Sequence, residues 1–176
     1  MLGVQVSRSS STMNSLFFGL LIVAALGSGL MAGLFCTFSN FAMRALSSIP
    51  PAKGISAMQS INIVIVNPVF LSVFLGTAAV SLAAVVLGIL NLGIAGSAWA
   101  LLGGALYLAG SIAVTGIFNV PLNNKLAAID ADSDDSVSVW HDYVARWTRW
   151  NHVRSISTLA STAAFIVAIH EVKIPA

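Results

Sequence analysis

The chain has 176 residues, of which 57% are hydrophobic and only 8% are charged, and its formal net charge is +2. Soluble domains carry about 25% charged residues, so this chain has too few charges to cover its apolar surface in water. The composition therefore excludes a soluble domain, and the small, dispersed positive charge excludes a nucleic-acid-binding protein. We predict a single-domain, all-α integral membrane protein in contact with the lipid bilayer.

The first apolar stretch predicts a transmembrane helix over residues 15–43. It is long enough to cross a bilayer with some tilt, and it continues beyond the point where a signal peptide would be cleaved. One face of this helix carries Gly29, Gly33, either Cys36 or Thr37, and Asn40. Small residues at this spacing allow a neighbouring helix to approach closely. We interpret the face as a packing seam, with a ligand site as the alternative.

The next stretch, residues 54–124, contains no acidic or basic side chain and is long enough for two crossings. We place these crossings at residues 56–90 and 97–118. Pro68 lies inside the first of them and lacks a backbone donor, so it predicts either a kink or an open carbonyl at Val64.

A solvated acidic loop at residues 130–135 precedes the last predicted elements. An amphipathic helix with an aromatic stripe is predicted over residues 137–150, and it leads directly into a fourth crossing over residues 151–170. Four crossings joined by short connections predict an up-down four-helix bundle with both termini on the same side of the membrane.

No metal site or bound cofactor is predicted. Cys36 is the only cysteine, which rules out an internal disulfide and a metal site built from cysteines. The three histidines, His141, His152 and His170, belong to different parts of the predicted topology. Nothing in the acidic loop fixes a ligand geometry.

In an up-down bundle, the ends of the first and third crossings meet the starts of the second and fourth. Ten polar residues gather at this end of the predicted bundle: Asn40, Gln59, Asn62, Asn67, Thr115, Asn119, Asn123, Asn151, His152 and Arg154. Polar groups at membrane depth must find partners and often have a function. We therefore interpret the cluster as a candidate site, although each amide could equally be a helix cap or an interhelical hydrogen bond.

Two members of this cluster stand out by their chemistry. Arg154 either reaches the membrane interface or pairs inward, because a charge is costly in the bilayer centre. His152 is a candidate general base near neutral pH.

The distribution of basic residues predicts the orientation of the chain. The end that carries the polar cluster also holds Arg44, Lys53, Lys125, Arg146, Arg149 and Arg154, whereas the opposite end holds Arg8 and Lys173. The positive-inside rule then places the polar end in the cytoplasm and both termini outside. We expect the protein in a bacterial inner membrane.

Five segments of the chain resemble the small membrane-protein family that includes the fungal anthrone oxygenases. They are FSNFAMRAL (residues 38–46), AMQSIN (57–62), NPVF (67–70), TGIFNVPLNN (115–124) and WTRWNHVR (147–154). The segments come in the expected order, and the likeness covers most of residues 25–165. The resemblance implies an oxygenase that converts an anthrone, a fused lipophilic aromatic, into a quinone with O₂ and without a cofactor.

A physical mechanism is available for the implied reaction. A base removes a carbon-bound proton, hydrogen-bond donors stabilise the enolate, and the electron-rich anion reduces O₂. His152 would be the base. The oxyanion would be held by Asn119, Asn151, Gln59 and Arg154, and the flat substrate would stack on Phe38, Trp147 and Trp150. The remaining candidate substrate-binding residues are Asn40, Asn62, Asn67 and Thr115.

A second hypothesis is a non-catalytic membrane protein. It would be an accessory subunit that docks a membrane-protein partner, a homo-oligomer, or a scaffold that binds a lipid or quinone. A transporter or channel is the third hypothesis, and the absence of a buried acidic residue from the predicted crossings argues against a proton or cation relay.

Overall fold

The computed structural model describes the backbone of residues 2–90, 92–93 and 95–172, and within these ranges the side chains from residue 15 onward. All regular elements in these residues are helical, which confirms the predicted all-α class. The α-helices are α1 (Leu2–Thr37), α2 (Met43–Ser47), α3 (Pro51–Val64), α4 (Pro68–Leu90), α5 (Ser97–Tyr107), α6 (Val120–Ala127) and α7 (Ser136–Glu171).

Three π-helical segments join some of these helices without a break in the rod. The first, Phe38–Ala42, connects α1 to α2, and the second and third, Leu108–Ala113 and Thr115–Asn119, lie between α5 and α6. A π-helical turn inserts an extra residue and is frequent at functional sites. Each segment therefore rotates the side chains that follow it about the helix axis.

Four of the described helical rods are long and apolar enough to cross a membrane: Ser15–Ser47, Pro68–Leu90, Ser97–Ala127 and Ser136–Glu171. The protein is therefore an integral membrane protein whose apolar helices contact lipid. These rods form a closed ring in which α7 contacts α1 and α5, and α4 contacts the same two helices. We call the end of the ring that carries α2, α3, α6 and the start of α7 the polar end.

The predicted second crossing, residues 56–90, is two helices in the structure. α3 ends at Val64 and α4 begins at Pro68, so only the second part is a spanning helix. Asn67 bridges the break, because its Oδ1 accepts from the Phe70 amide at 3.0 Å and its Nδ2 donates to the Val64 carbonyl at 3.1 Å. The carbonyl that the proline leaves without an amide donor therefore has a side-chain partner.

Two further predicted boundaries differ from the structure. The third crossing, predicted over residues 97–118, continues as a helical rod to Ala127. The amphipathic helix of residues 137–150 and the crossing of residues 151–170 are one uninterrupted helix, α7. Because no residue in α7 breaks the helical hydrogen bonds, the aromatic stripe and the apolar stretch form a single rod.

The helices approach closely where glycine and serine replace larger side chains. A Cβ atom added to Gly104 of α5 would lie 2.6 Å from the Ser81 carbonyl oxygen of α4. On the other side of α5, the Ser161 hydroxyl of α7 donates to the Gly103 carbonyl at 2.7 Å. Small residues allow this approach in membrane proteins, where no hydrophobic force drives helices together.

Replacing Gly104 with alanine tests this packing. The new methyl group meets backbone, so α4 and α5 must separate, and we expect a loss of stability of about 1–3 kcal/mol. Gly76→Ala is the matched control, because Gly76 lies on α4 with open space around it. That change should be neutral or stabilising by up to about 1 kcal/mol. Thermal unfolding in detergent measures both, and equal melting temperatures would contradict the close contact.

Candidate functional site

Arg154 is the only charged side chain buried among the residues that the structure describes, with 7% of its surface exposed. Its Nη2 donates to Asn151 Oδ1 at 2.6 Å, and its Nη1 donates to Thr115 Oγ1 at 3.2 Å. Its Nε has no hydrogen-bond partner. The ion pairs of the described residues all involve Asp142 with Lys125 or Arg146, so neutral groups alone surround the Arg154 cation.

Asn151 holds the arginine in place and ties it to α1. Its Nδ2 donates to the Phe35 carbonyl at 2.8 Å and to Ser39 Oγ at 2.7 Å. Its Oδ1 is then the acceptor for Arg154, three residues further along α7. An asparagine amide offers both a donor and an acceptor, and here both ends are used. The amide thus fixes the guanidinium relative to two helices.

Aromatic rings cover the remaining faces of the guanidinium. Arg154 Cζ lies 4.3 Å from the ring centroid of Phe35 and 5.2 Å from that of Trp147. Such rings attract a cation through their quadrupole. Phe38 packs edge-on against Trp147, with 5.6 Å between the centroids. These rings lower the cost of the buried charge without neutralising it.

Arg154 lines a cavity of about 140 Å³ that lies between α1, α3, α7 and the third π-helical segment. Four of the lining side chains are polar: Asn62, Thr115, Asn123 and Arg154. Val66 and Val120, which also line the cavity, are 61% and 41% exposed. The cavity therefore opens sideways, between the α3–α4 connection and the start of α6.

Asn123 positions the aromatic wall of this cavity. Its Oδ1 accepts from the Tyr143 hydroxyl at 2.9 Å and from Trp147 Nε1 at 2.8 Å. Asn119 supports the same part of α7, because its Nδ2 donates to the Trp147 carbonyl at 3.3 Å. The Oδ1 of Asn119 is buried and has no partner. Asn119 is thus next to the aromatic wall but is not among the residues that line the cavity.

Three of the predicted site residues make structural contacts away from the cavity. Gln59 donates from Nε2 to two backbone carbonyls at and just beyond the end of α6, at 2.9 and 3.0 Å. Asn67 caps α4. Trp150 stacks on Phe118, with 3.5 Å between the ring centroids. These three residues therefore act as a helix cap or as packing contacts, which was the alternative to a site role in the sequence analysis.

The structure does not bring His152 to Asn151, Arg154 or Asn119, the other predicted catalytic residues. His152 is exposed and lines, together with Asn40, a separate groove of about 510 Å³ between α7 and the end of the α1–α2 rod. Adjacent positions on a helix point about 100° apart. Because Asn151 points into the protein, His152 points outward. The site around Arg154 is therefore built without this histidine.

Comparison with known proteins identifies the family to which the chain belongs. The sequence model of the family described as anthrone oxygenase matches residues 69–164, which is more than half of the chain. The chain belongs to the anthrone oxygenase family. No curated protein and no solved structure matches it.

The family match runs from the second residue of α4 to residue 164 of α7 and therefore includes Thr115, Asn151 and Arg154. Phe35 and Asn62 come from α1 and α3, outside the matched residues. The charged part of the site thus belongs to the region that defines the anthrone oxygenase family, and the N-terminal helices complete the cavity around it.

Sequence reasoning missed Phe35 and Ser39 as partners of Asn151 in the Arg154 site. They are four residues apart on the first rod and so share a face, and Asn151 bonds to both. That spacing was available in the sequence. An aromatic and a serine within a long apolar helix are ordinary core residues, however, and only the pairing of α1 with α7 distinguishes them.

Asn151→Ala should destabilise the protein by about 1–3 kcal/mol, because it leaves the Phe35 carbonyl and Arg154 Nη2 buried without this partner. Asn40→Ala removes the same amide from an exposed position at the same end and should have no measurable effect. Thermal unfolding of both variants checks the difference. Similar losses, or none in either variant, would be inconsistent with the network described.

Proposed function

We propose that this protein is a cofactor-independent oxygenase that converts an anthrone-like lipophilic aromatic into a quinone. The main support for the proposal is the buried cation of Arg154, which lines a largely apolar cavity. Among the residues that the structure describes, no carboxylate forms an ion pair with it. A charge at this depth is costly and is usually retained for function. Membership of the anthrone oxygenase family supports the same activity.

The proposed role of Arg154 is to stabilise an oxyanion. Arg154 lines the cavity, and its buried Nε has no protein acceptor that would compete with a ligand oxygen for the guanidinium. When an anthrone loses a proton from its methylene carbon, negative charge moves onto the carbonyl oxygen. A preorganised cation in a site that excludes water stabilises such a charge far more than water does. Arg154 would therefore favour the enolate over the neutral ketone.

The reaction then needs only O₂ as a second substrate. The enolate transfers electrons to O₂, and a carbon–oxygen bond forms at the former methylene carbon, which gives a hydroperoxide after protonation. Loss of water from the hydroperoxide leaves a second carbonyl group. One anthrone and one O₂ thus give one quinone and one water, and no other oxidant or reductant is consumed.

The proton acceptor in this proposal is water at the cavity mouth. No histidine, aspartate or glutamate of the described residues lines the cavity. Stabilising the enolate makes proton loss to a weak base feasible, because the acidity of the substrate rises with the stability of its anion. The earlier candidate base, His152, has no step in this mechanism.

The cavity is too small to enclose a three-ring substrate as it stands. A cavity of about 150 Å³ holds one benzene ring, and the cavity here is about 140 Å³. A three-ring substrate therefore needs the mouth to widen. The mouth lies at the non-helical residues between α3 and α4, where the two helices are not one continuous rod. Its exposed valines face the side of the bundle, so the substrate would arrive from the lipid.

Removing the charge of Arg154 is the direct test. Arg154→Met keeps much of the side-chain volume, and we expect kcat for anthrone to fall by about 10²–10³, as on removal of an oxyanion donor. Arg154→Lys should retain part of the activity. Oxygen consumption and quinone absorbance measure the rates.

His152→Gln is the matched comparison for that experiment. Because His152 lies in a separate groove, this variant should keep kcat within about threefold of the unmodified protein. Loss of activity in His152→Gln with activity retained in Arg154→Met would reverse the assignment. Circular dichroism and thermal unfolding confirm that each variant is folded.

Narrowing the mouth tests the lateral route. Val66→Trp should lower kcat/KM for anthrone about tenfold or more, mainly through KM, because the indole would obstruct the opening. Val69→Trp is the control, since Val69 is 76% exposed on α4 and does not line the cavity. Equal kcat/KM in the two variants would argue against access at this point.

The small cavity volume favours a second candidate function, in which the site binds a lipophilic aromatic or quinone without transforming it. A scaffold of this kind could dock a membrane-protein partner or a second copy of the chain. Binding of anthrone that depends on Arg154 but consumes no oxygen would support this candidate over the oxygenase.

For the orientation, we propose that the polar end faces the cytoplasm. Five exposed basic side chains lie there: Arg44, Lys53, Lys125, Arg146 and Arg149. Arg154 is buried and does not count toward this bias. Basic residues near the ends of crossings favour the cytoplasmic side.

A further inference from the structure

The seam between α1 and α7 carries two grooves on the outside of the bundle, apart from the Arg154 cavity. The first is the groove of about 510 Å³ at the polar end, to which Arg44, Arg149 and His152 contribute. The second is an apolar groove of about 460 Å³ further into the membrane, lined by residues such as Leu26, Gly29 and Ile166. We call them the basic groove and the apolar groove.

Both grooves lie along the same side of the seam. Within each groove the lining residues of α1 and its continuation are three or four positions apart, at Leu26 and Gly29 in the apolar groove and at Asn40 and Arg44 in the basic groove. This spacing keeps residues on one helix face. The seam is antiparallel, since Ser28 pairs with Ser161 at 3.3 Å and Ser39 pairs with Ser155 at 2.9 Å. The lining residues of α7 therefore run in the opposite order along the same line.

Gly33 lies between the two grooves along α1. It lies on the same face of α1, and a Cβ atom added to it would meet nothing within 4 Å. The sequence predicted a packing seam at Gly29, Gly33 and Asn40. In the structure a Cβ atom on Gly29 would lie 3.7 Å from Thr162 of α7, as a packing seam requires, whereas Gly33 faces open space. Phe35 and Ser39, on the neighbouring face of the same rod, bond to Asn151 of α7. The surface of α1 between the basic and the apolar groove is therefore free of a side chain at Gly33, and we call the two grooves together with this open surface the channel.

The basic groove is electrostatically uncompensated. Arg44 and Arg149 are both exposed, and no described carboxylate lies within ion-pair distance of either. The Thr148 hydroxyl in the same groove is buried and has no hydrogen-bond partner. Two guanidinium groups, an imidazole and a free hydroxyl form a donor set that suits a phosphate group.

The length of the channel matches one leaflet of a bilayer. At 1.5 Å per residue, the helix rises about 22 Å between Gly29 and Arg44. Half of a bilayer with its headgroups is about 20–22 Å thick. When Gly29 lies at the midplane, Arg44 therefore lies at the level of the lipid phosphates.

We propose that this channel is a binding site for one anionic phospholipid. The phosphate lies between Arg44, Arg149 and His152, and one acyl chain runs past Gly33 into the apolar groove. The charge of the basic groove selects an anionic over a zwitterionic lipid. His152, which takes no part in the proposed oxidation, contacts the headgroup.

Native mass spectrometry of the full-length protein with equal amounts of phosphatidylglycerol and phosphatidylcholine tests this site. The unmodified protein should retain one phosphatidylglycerol in preference to phosphatidylcholine. The double variant Arg44→Gln/Arg149→Gln should lose that preference by about tenfold or more. Lys125→Gln/Arg146→Gln removes the same charge from the same end, outside the groove, and should keep it. If the double variant does not fold, each single arginine variant should show a smaller loss.

Gly33→Leu tests the acyl-chain part of the channel. The leucine fills the open space, so retention of long-chain phosphatidylglycerol should fall although the charge is unchanged. Four results would overturn the proposal: no preference for phosphatidylglycerol, an equal loss in the lysine–arginine control, full displacement of the lipid by inorganic phosphate, or unchanged retention in Gly33→Leu. A dimer that Gly33→Leu abolishes would mean that a second copy of the chain covers the groove instead.

Discussion

The buried guanidinium of Arg154 is the group around which the polar end is built. No described carboxylate offsets its charge, so every neighbouring group must lower its cost by another route. Asn151 and Thr115 accept its hydrogen bonds, and Phe35 and Trp147 cover its faces. These partners come from three spanning rods. The charge can therefore stay buried only while the rods keep their relative positions, which links the fold to the site.

The irregular parts of the helices serve this arrangement. Thr115 and Asn119 belong to the third π-helical segment, and Ser39 belongs to the first. An extra residue per turn shifts side chains around the helix axis, so these polar groups can turn toward α7 from otherwise lipid-facing rods. The break before Pro68 likewise leaves a rim of exposed valine residues instead of a closed helix–helix contact. Local departures from the α-helix thus create both the polar network and the opening of the cavity.

The two faces of α7 near the polar end have separate chemistry. Asn151 and Arg154 point inward, where Arg154 lines a cavity, whereas the exposed Arg149 and His152 line the basic groove on the outside. One residue of offset along a helix is enough to assign neighbours to different environments. A lipid on the outer face would also contact α1, the helix that positions Asn151. The outer groove could in this way support the inner site without touching its ligand.

The sequence alone determined the class, the number of crossings and a set of polar candidates that includes Arg154. Low charge and long apolar stretches require lipid contact, and an arginine beside an apolar segment is conspicuous in any such chain. Sequence could not separate Asn151 from Gln59 or Asn67, because an amide that holds a guanidinium and an amide that caps a helix are the same chemical group. It also grouped His152 with Arg154, which are close in the chain. Only the packing of α7 against α1 and the α5 rod decided which of its faces is enclosed, since burial depends on partners that lie between 39 and 116 residues away in the chain.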